Sequence, residues 1–266
     1  MKLIVTGGAS GLGEALVKRL NAHDVWILDR NEPTELSPGH QFIQVNLADQ
    51  QSIDGVLELL PDSVDGLANV AGIAQSDDAE LVVAVNFLAV RHLSTMIASR
   101  LVQGGRIVNV SSTAGRDWQK RYDKLIPLLE TDSYAAGLAW CRDNIDVVAR
   151  DPYTMSKRLA TALTLRTAQD GIENGYTVNS VSPGPIATPL YPQFESLMGA
   201  EQSDWLIAQT KRAAQPEDIA EVVDLLLTGD CGWLNGVDIP VDGGYTAGME
   251  SGWIDFSQSP IMQQRQ

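Results

Sequence analysis

The sequence is poor in residues that hold metals or cross-link chains. Its two cysteines, Cys141 and Cys231, lie far apart and form no CxxC pair. Its three histidines, His23, His40 and His92, are scattered, and no HExxH occurs. Neither a disulfide framework nor a metal centre is expected, and the thiols read as idle residues of a reducing compartment. Basic residues are also few: 19 Lys and Arg stand against 34 Asp and Glu, a formal net charge of −15. Such a surface repels phosphate backbones and anionic lipid, so no nucleic acid and no membrane is expected as a partner. Long apolar runs are missing as well. The longest, residues 81–90, is interrupted by Asn86 and falls short of bilayer thickness. The apolar start Met1-Lys2-Leu3-Ile4-Val5 is too short for a secretory signal, and a cytoplasmic location is expected.

What is present is a rhythm. With 266 residues, 44% of them hydrophobic, the chain can bury a core without staples. Short apolar runs at 2–6, 25–28, 42–45, 66–70, 106–110, 177–181 and 237–241 read as strands. Helical patterns at 11–20, 48–60, 79–101, 153–174 and 216–227 fall between them. Leu12, Leu16 and Leu20 share one helical stripe. Strands alternating with helices imply an α/β fold, a Rossmann-type doubly wound parallel sheet of about seven strands with helices on both faces. The whole chain is expected to form a single dinucleotide-binding domain. Two segments break the rhythm. Residues 113–151, rich in Tyr, Trp, Leu and Ala, read as an ordered, partly helical insertion. Residues 183–204 read as an apolar loop beyond a strand end, where this architecture builds binding sites. A short C-terminal tail, 247–266, has no assignment.

Between the first strand and the first helix lies Thr6-Gly7-Gly8-Ala9-Ser10-Gly11-Leu12-Gly13. Missing side chains at Gly7, Gly11 and Gly13 permit a tight turn and close approach of a pyrophosphate to the helix N-terminus. Asp29 closes the second strand, where a carboxylate can accept from ribose hydroxyls and would repel an added phosphate. With no basic residue in the glycine loop, these features favour NAD over NADP, although Arg30 follows Asp29.

Asp151-Pro152 looks like a helix start, which sets Tyr153 and Lys157 one turn apart on one face. Of six tyrosines, only Tyr153 has a lysine four positions later. A free phenol titrates near about 10. An ammonium at about 4–6 Å, in an effective dielectric of about 20, favours phenolate by about 3–4 kcal/mol. That would draw Tyr153 down into working range as an acid or base. Ser111-Ser112 ends the fifth strand and points to the same crevice.

Together these residues resemble the short-chain dehydrogenase/reductase family. The matching elements are Thr6-Gly7-x3-Gly11-x-Gly13, Asn69-Val70-Ala71-Gly72, Val85-Asn86, Ile107-Val108-Asn109-Val110-Ser111-Ser112, Tyr153-x3-Lys157, Pro183-Gly184 with Thr188, and Val241-Asp242-Gly243-Gly244. The resemblance implies a proton-carrying Tyr153, with Lys157 lowering its pKa and holding the nicotinamide ribose. Ser112 would orient the substrate oxygen and Asn86 would hold a water of the proton relay. It also implies an NAD site formed by Gly7, Ser10, Gly11, Leu12, Gly13, Asp29, Asn46, Leu47, Asn69, Ala71, Gly72, Tyr153, Lys157, Pro183, Ile186 and Thr188. The expected reaction interconverts a secondary alcohol and a ketone. The substrate is expected to be an apolar small molecule such as a hydroxysteroid or an aryl or terpenoid alcohol. Leu190, Tyr191, Phe194, Leu197 and Met198 would cover it, with Trp118, Trp140 and Trp205 as further wall.

Two features depart from most of that family. Asn46 stands where Asp is common. Ser112 and Tyr153 are also unusually far apart, a spacing similar to that of the 3α-hydroxysteroid dehydrogenase/carbonyl reductase branch and coniferyl-alcohol dehydrogenase-like relatives. The insertion would mask a face used for assembly, so a homo-oligomer, dimer or tetramer, is expected to form through another surface, near 216–227 and the last strand. A non-catalytic NAD sensor or scaffold on the same fold is the rival reading, but it has no need of Ser112, Tyr153 and Lys157 together. An epimerase or dehydratase would carry a longer sugar-binding C-terminal region than this tail provides.

Overall fold

The computed structural model describes residues 1–263. In chain order the elements are β1 (Lys2–Thr6), α1 (Gly11–Arg19), β2 (Asp24–Asp29), β3 (His40–Gln44), α2 (Gln50–Val56), β4 (Val64–Asn69), α3 (Ala79–Val83), α4 (Ala89–Ala98) and β5 (Leu101–Val110). There follow α5 (Tyr122–Leu129), α6 (Tyr134–Asp143), α7 (Ile145–Val148), α8 (Pro152–Asn174), β6 (Tyr176–Pro183), α9 (Tyr191–Met198), α10 (Ala200–Thr210), α11 (Pro216–Thr228), β7 (Asp238–Val241), α12 (Tyr245–Ser251) and α13 (Pro260–Gln263). The strands form one seven-stranded sheet in the order β3-β2-β1-β4-β5-β6-β7, every pairing parallel. Strand order reverses between β1 and β4, which opens a crevice at the carboxyl edge of the sheet.

Alternation within the strands sorts side chains into two cores. Leu3, Val5, Val25 and Ile27 face α1 and α11, together with Leu16 and Leu226. Ile4, Trp26 and Leu28 face the other layer, with Phe87, Leu93 and Leu159. This period of two, buried on both faces, is why the strands read as continuous apolar runs. The helical run Ala79–Ala98 is long and apolar enough to cross a membrane, yet Val83, Phe87, Leu88, Leu93 and Ile97 within it belong to this second core.

The helix expected over 79–101 differs in detail. It stops at Ala98, and a π-helical turn at Ala84–Leu88 separates α3 from α4. The end falls early because β5 begins at Leu101, where a register shift against Val64 and Gly66 lets the strand start sooner than its apolar run. The region 183–204, expected as a loop, carries two helices. Gly199, with φ of +84°, separates α9 from α10. Among α10 residues only Gln202 and Ser203 are buried, so no apolar stripe announces that helix. The tail is helical too, in α12 and α13, and its last three residues lie outside the described residues.

Segment 113–151 contains α5, α6 and α7, with two short 3₁₀ turns before them. Leu125, Leu128, Tyr134, Cys141 and Val148 pack it into the second core. Arginines of the underlying helices fasten it. Arg91 donates to the Leu128 and Ser133 carbonyls and to the Thr131 hydroxyl. Arg158 grips Asp117 at 2.6 and 2.8 Å, while Arg142 within the segment grips Glu80 with two bonds of 2.8 Å. Burial pushes the Cys141 thiol up to about 12, so it stays protonated and unreactive. Tyr134 is fully buried, and its phenol donates to the Leu47 carbonyl at 3.0 Å. Replacing Tyr134 with Phe strands that carbonyl, so Tyr134→Phe is expected to lower unfolding stability by about 1–2 kcal/mol. Urea denaturation of the variant beside wild type measures it.

Candidate active site

The glycine loop is built around close approaches. Gly7 has φ of +73°, and a Cβ there would sit 2.7 Å from the Ala71 Cα. A Cβ on Gly13 would strike the Gly7 carbonyl. Gly11, with φ of +55°, lies against the Thr188 side chain across the crevice. Ser10 is the extended residue before α1, with its hydroxyl unused in capping, and Leu12 is buried beneath the loop. A cradle without side chains at a helix N-terminus fits a pyrophosphate. Thr6 was not among the expected site residues, yet its hydroxyl accepts from Val70 and Ala71 N–H at 3.0 and 3.1 Å. It joins the loop after β1 to Ala71 and Gly72. A polar residue closing an apolar strand is the sequence signal for it.

Asp29, at the end of β2, accepts from Ala9 N–H and Asn31 N–H, both at 3.0 Å. Its carboxylate is thereby fixed beside the glycine loop, as its spacing implies. Asn46 closes a local turn, its side-chain oxygen accepting from Ala48 N–H at 3.1 Å, which leaves its amide NH₂ as the free donor. Leu47 follows, its carbonyl occupied by Tyr134. Asn69 is buried and faces inward: its amide donates to Ser94 and, at 2.8 Å, to Asn109, which donates in turn to Thr164. The Asn69 side chain thus ties β4 and β5 to α8, while Ala71 and Gly72 after it reach the crevice.

At the other end, Asp151 caps α8 by accepting from Thr154 N–H, and Pro152 opens its first turn. Tyr153 and Lys157 project from one face, the ammonium 5.8 Å from the phenol ring centroid. Lys157 is nearly fully buried, and its Nζ donates to the Val110 carbonyl at 2.9 Å. The Ser112 side chain, two residues beyond β5, hydrogen-bonds toward Tyr153 and favours its phenolate. Asn86 sits in the π-helical turn and clamps Ile73, accepting from its N–H at 2.9 Å and donating to its carbonyl at 2.8 Å. Its amide also donates to Ser156. With that side chain engaged, a relay water would have to be held by the main chain. Gly72 lies between Asn86 and Lys157.

The titration behaviour departs from the expectation drawn from Coulomb attraction alone. Burial pushes the Tyr153 phenol up to about 12, opposed by the Ser112 hydrogen bond and reinforced by Asp151. Burial holds the Lys157 ammonium down at about 8. Desolvation outweighs the pairing because both charged forms leave water together and the ammonium gains only one carbonyl partner.

Beyond Pro183, Ile186 bridges to Ala214, and Thr188 N–H donates to the Ile186 carbonyl at 2.9 Å. This brings Pro183, Ile186 and Thr188 over the crevice. The Phe194 ring meets the Tyr153 ring edge-on at 4.9 Å. Trp118 and Trp140 pack instead in the 113–151 layer, Trp118 against Tyr122. Among the described residues no group of three or more His, Cys, Asp or Glu could hold a metal ion.

The comparisons with known proteins agree with this geometry. Residues 2–122 match the family model described as short chain dehydrogenase, and residues 123–246 match one described as Enoyl-(Acyl carrier protein) reductase. The coniferyl-alcohol dehydrogenase of a Pseudomonas strain is 32% identical, covering 91% of this chain and 95% of its own. The chain belongs to the short-chain dehydrogenase/reductase family. Cyclopentanol dehydrogenase of Comamonas testosteroni is 28% identical over 92% of this chain and 96% of its own. The 3-alpha-hydroxysteroid dehydrogenase of another Pseudomonas strain, solved with NADH, superposes with a TM-score of 0.79 at 27% identity, covering 94% of this chain and 99% of that one. This oxidoreductase family works with a nicotinamide cofactor, and the cradle of Gly7, Gly11 and Gly13 fits one.

The buried Lys157 carries a stability consequence with a definite sign. Its folded pKa, about 8, lies below the ordinary 10.5. The unfolded chain therefore binds more protons between pH 8 and 10.5, and stability rises with pH across that window. Lys157→Met is expected to be more stable than wild type at pH 7 by about 1–3 kcal/mol. The advantage should fade between pH 8 and 10.5. Chemical unfolding of both proteins across that range decides it.

Proposed function

We propose that the chain is an NAD-dependent dehydrogenase that interconverts an apolar secondary alcohol and its ketone. The observation that carries this reading is the convergence of Ser112, Tyr153 and Lys157 on one side of the crevice opposite the glycine cradle. Asp29 supports NAD over NADP. Its carboxylate is fixed beside the loop by Ala9 and Asn31, where a phosphate on the ribose would meet a like charge. An edge-on Phe194 over the phenol supports an apolar alcohol, as does the similarity to enzymes named for coniferyl alcohol, cyclopentanol and a hydroxysteroid.

In the oxidative direction the Tyr153 Oη takes the proton of the alcohol hydroxyl. The Ser112 hydroxyl orients that oxygen and stabilises the phenolate. Lys157, fixed by Val110, supplies the positive charge behind it. A nicotinamide cofactor held over the cradle of Gly7, Gly11 and Gly13 would supply the hydride chemistry, and in its oxidised form a positive charge that would offset part of the burial penalty on Tyr153. Asn86, its amide also donating to Ser156, holds the Ile73 backbone that follows Gly72. Reduction runs the same proton step backwards.

Assembly is proposed through the face of α11 and β7. The arginine-fastened 113–151 layer covers α3 and packs on α8, whereas Leu225 of α11 and Trp233 and Leu234 beyond it are exposed, Trp233 completely. A Trp233→Glu variant is expected to sediment as a monomer where wild type sediments as a dimer or tetramer; an unchanged sedimentation coefficient would remove this interface.

The central test is a panel of secondary alcohols with NAD and with NADP, followed at the reduced-nicotinamide absorbance band. Wild type is expected to prefer NAD. Tyr153→Phe is expected to lose about 10³-fold or more in kcat while NADH binding by fluorescence persists. Full turnover in Tyr153→Phe would sink the mechanism.

A further inference from the structure

The segment after β7 is unclaimed by the chemistry above, yet it is tied to both walls of the pocket. On one side, Glu250 of α12 pairs with Arg116 at 3.1 Å, four residues beyond Ser112, and Arg116 also lies 3.7 Å from Asp238 of β7. On the other side, the Trp205 ring of α10 is held edge-on between Tyr245 at 6.4 Å and Phe256 at 5.9 Å. Gln202 of α10 is buried, and its side-chain oxygen accepts from Ile261 N–H at 3.1 Å. The turn between these contacts is itself locked. Ile254 is buried against Gly248, where a Cβ would sit 2.5 Å from it, and its N–H donates to the Gly248 carbonyl.

Helix α9 has little to hold it in place. None of its residues is fully buried. It packs on α10, and the Tyr191 hydroxyl bonds to the buried Ser203 hydroxyl at 2.6 Å. Its inward contact is Phe194 on Tyr153. A continuous mechanical path therefore runs from Phe256 and Ile261 to Trp205 and Gln202, through Ser203 to Tyr191, and on to Phe194 above the phenol. Helices with few buried contacts open at low free energy unless a neighbour fixes them.

We propose that residues 245–263 act as a clasp that sets the position of α9, making Trp205, Gln202 and Phe256 positioning residues for the binding of the apolar alcohol. The clasp acts chiefly on the alcohol pocket, because its contacts fall on α10 and Arg116 and, among the described residues, the one tie from α9 toward the cofactor side is Tyr191 N–H to the Thr188 carbonyl. The inference rests on the proposed alcohol chemistry for its kinetic readout, though not for its structural one.

The test uses the full chain with Phe256→Ala, Phe256→Leu and Gln202→Leu. Loss of one edge-on aromatic contact is expected to raise KM for an apolar alcohol about tenfold in Phe256→Ala. Changes of about twofold at most are expected in kcat and in the dissociation constant for NADH. Hydrogen exchange over residues 191–198 should quicken in the same variant, and Phe256→Leu should restore much of both effects. Gln202→Leu keeps the aromatic contacts and should give the same pattern more weakly, which covers the case of a Phe256→Ala chain that fails to fold. An unchanged KM with unchanged exchange in 191–198 overturns the clasp. So does loss of alcohol and NADH binding together, which would mark the segment as merely structural. If wild type oxidises no alcohol with either dinucleotide, the proposed activity fails, while the exchange measurement still decides the clasp.

Discussion

Lys157 keeps an ammonium out of water with one main-chain partner, the Val110 carbonyl at the end of β5. Much of the surrounding structure serves to hold that arrangement. Helix α8 must begin in the right place, which Asp151 and Pro152 secure, and it must stay at a fixed height against β5. The height is set by a buried polar ladder. Asn69 reaches Asn109, Asn109 reaches Thr164, and the Ser111 hydroxyl donates to the Lys157 carbonyl while bonding to Thr161. Hydrogen bonds in a dry interior are directional and costly to leave unmade, so they fix register more sharply than apolar packing does. A lysine held by burial at a pKa near 8 lowers stability at neutral pH, whereas the neighbouring phenol, held near 12, stays neutral there.

Around this centre the chain adds two outer layers by different means. The 113–151 layer carries its own buried leucines, but arginines fix it by donating to its free carbonyls and carboxylates. Its Tyr134 also reaches the Leu47 carbonyl, so the layer touches the strand-end loop beside Asp29. The C-terminal layer works through edge-on aromatic pairs and one glutamine. One layer thus borders the proposed adenine side and the other borders the proposed alcohol side, with the parallel sheet as the rigid member between them.

The parts of this design visible in the sequence are those with short-range signatures. The strand-glycine-helix unit at 2–20, the Asp-Pro start of α8 and the four-residue spacing of Tyr153 and Lys157 are local, and each appears in the structure where the spacing puts it. The parts that were not visible depend on contacts far along the chain. Helix α10 shows no apolar stripe because what it buries is a glutamine bonded to the tail and a serine bonded to Tyr191 of α9. The roles of Thr6 and of the Asn69 side chain need β4 and β5 alongside, 60 and more residues from Thr6. The direction of the Tyr153 shift could not be foreseen from spacing, since spacing gives the Coulomb attraction but says nothing of how much water remains.

The sequence alone determined the doubly wound parallel sheet, the glycine cradle and the one-turn spacing of Tyr153 and Lys157. Apolar periodicity, missing side chains and helical spacing are written within a few residues of one another. Only the tertiary structure decided how deeply Lys157 is buried, which face of Asn69 and Asn86 is used, and that the last helices pack on α10. Those outcomes depend on dielectric surroundings and on partners brought from distant positions, and a linear pattern records neither.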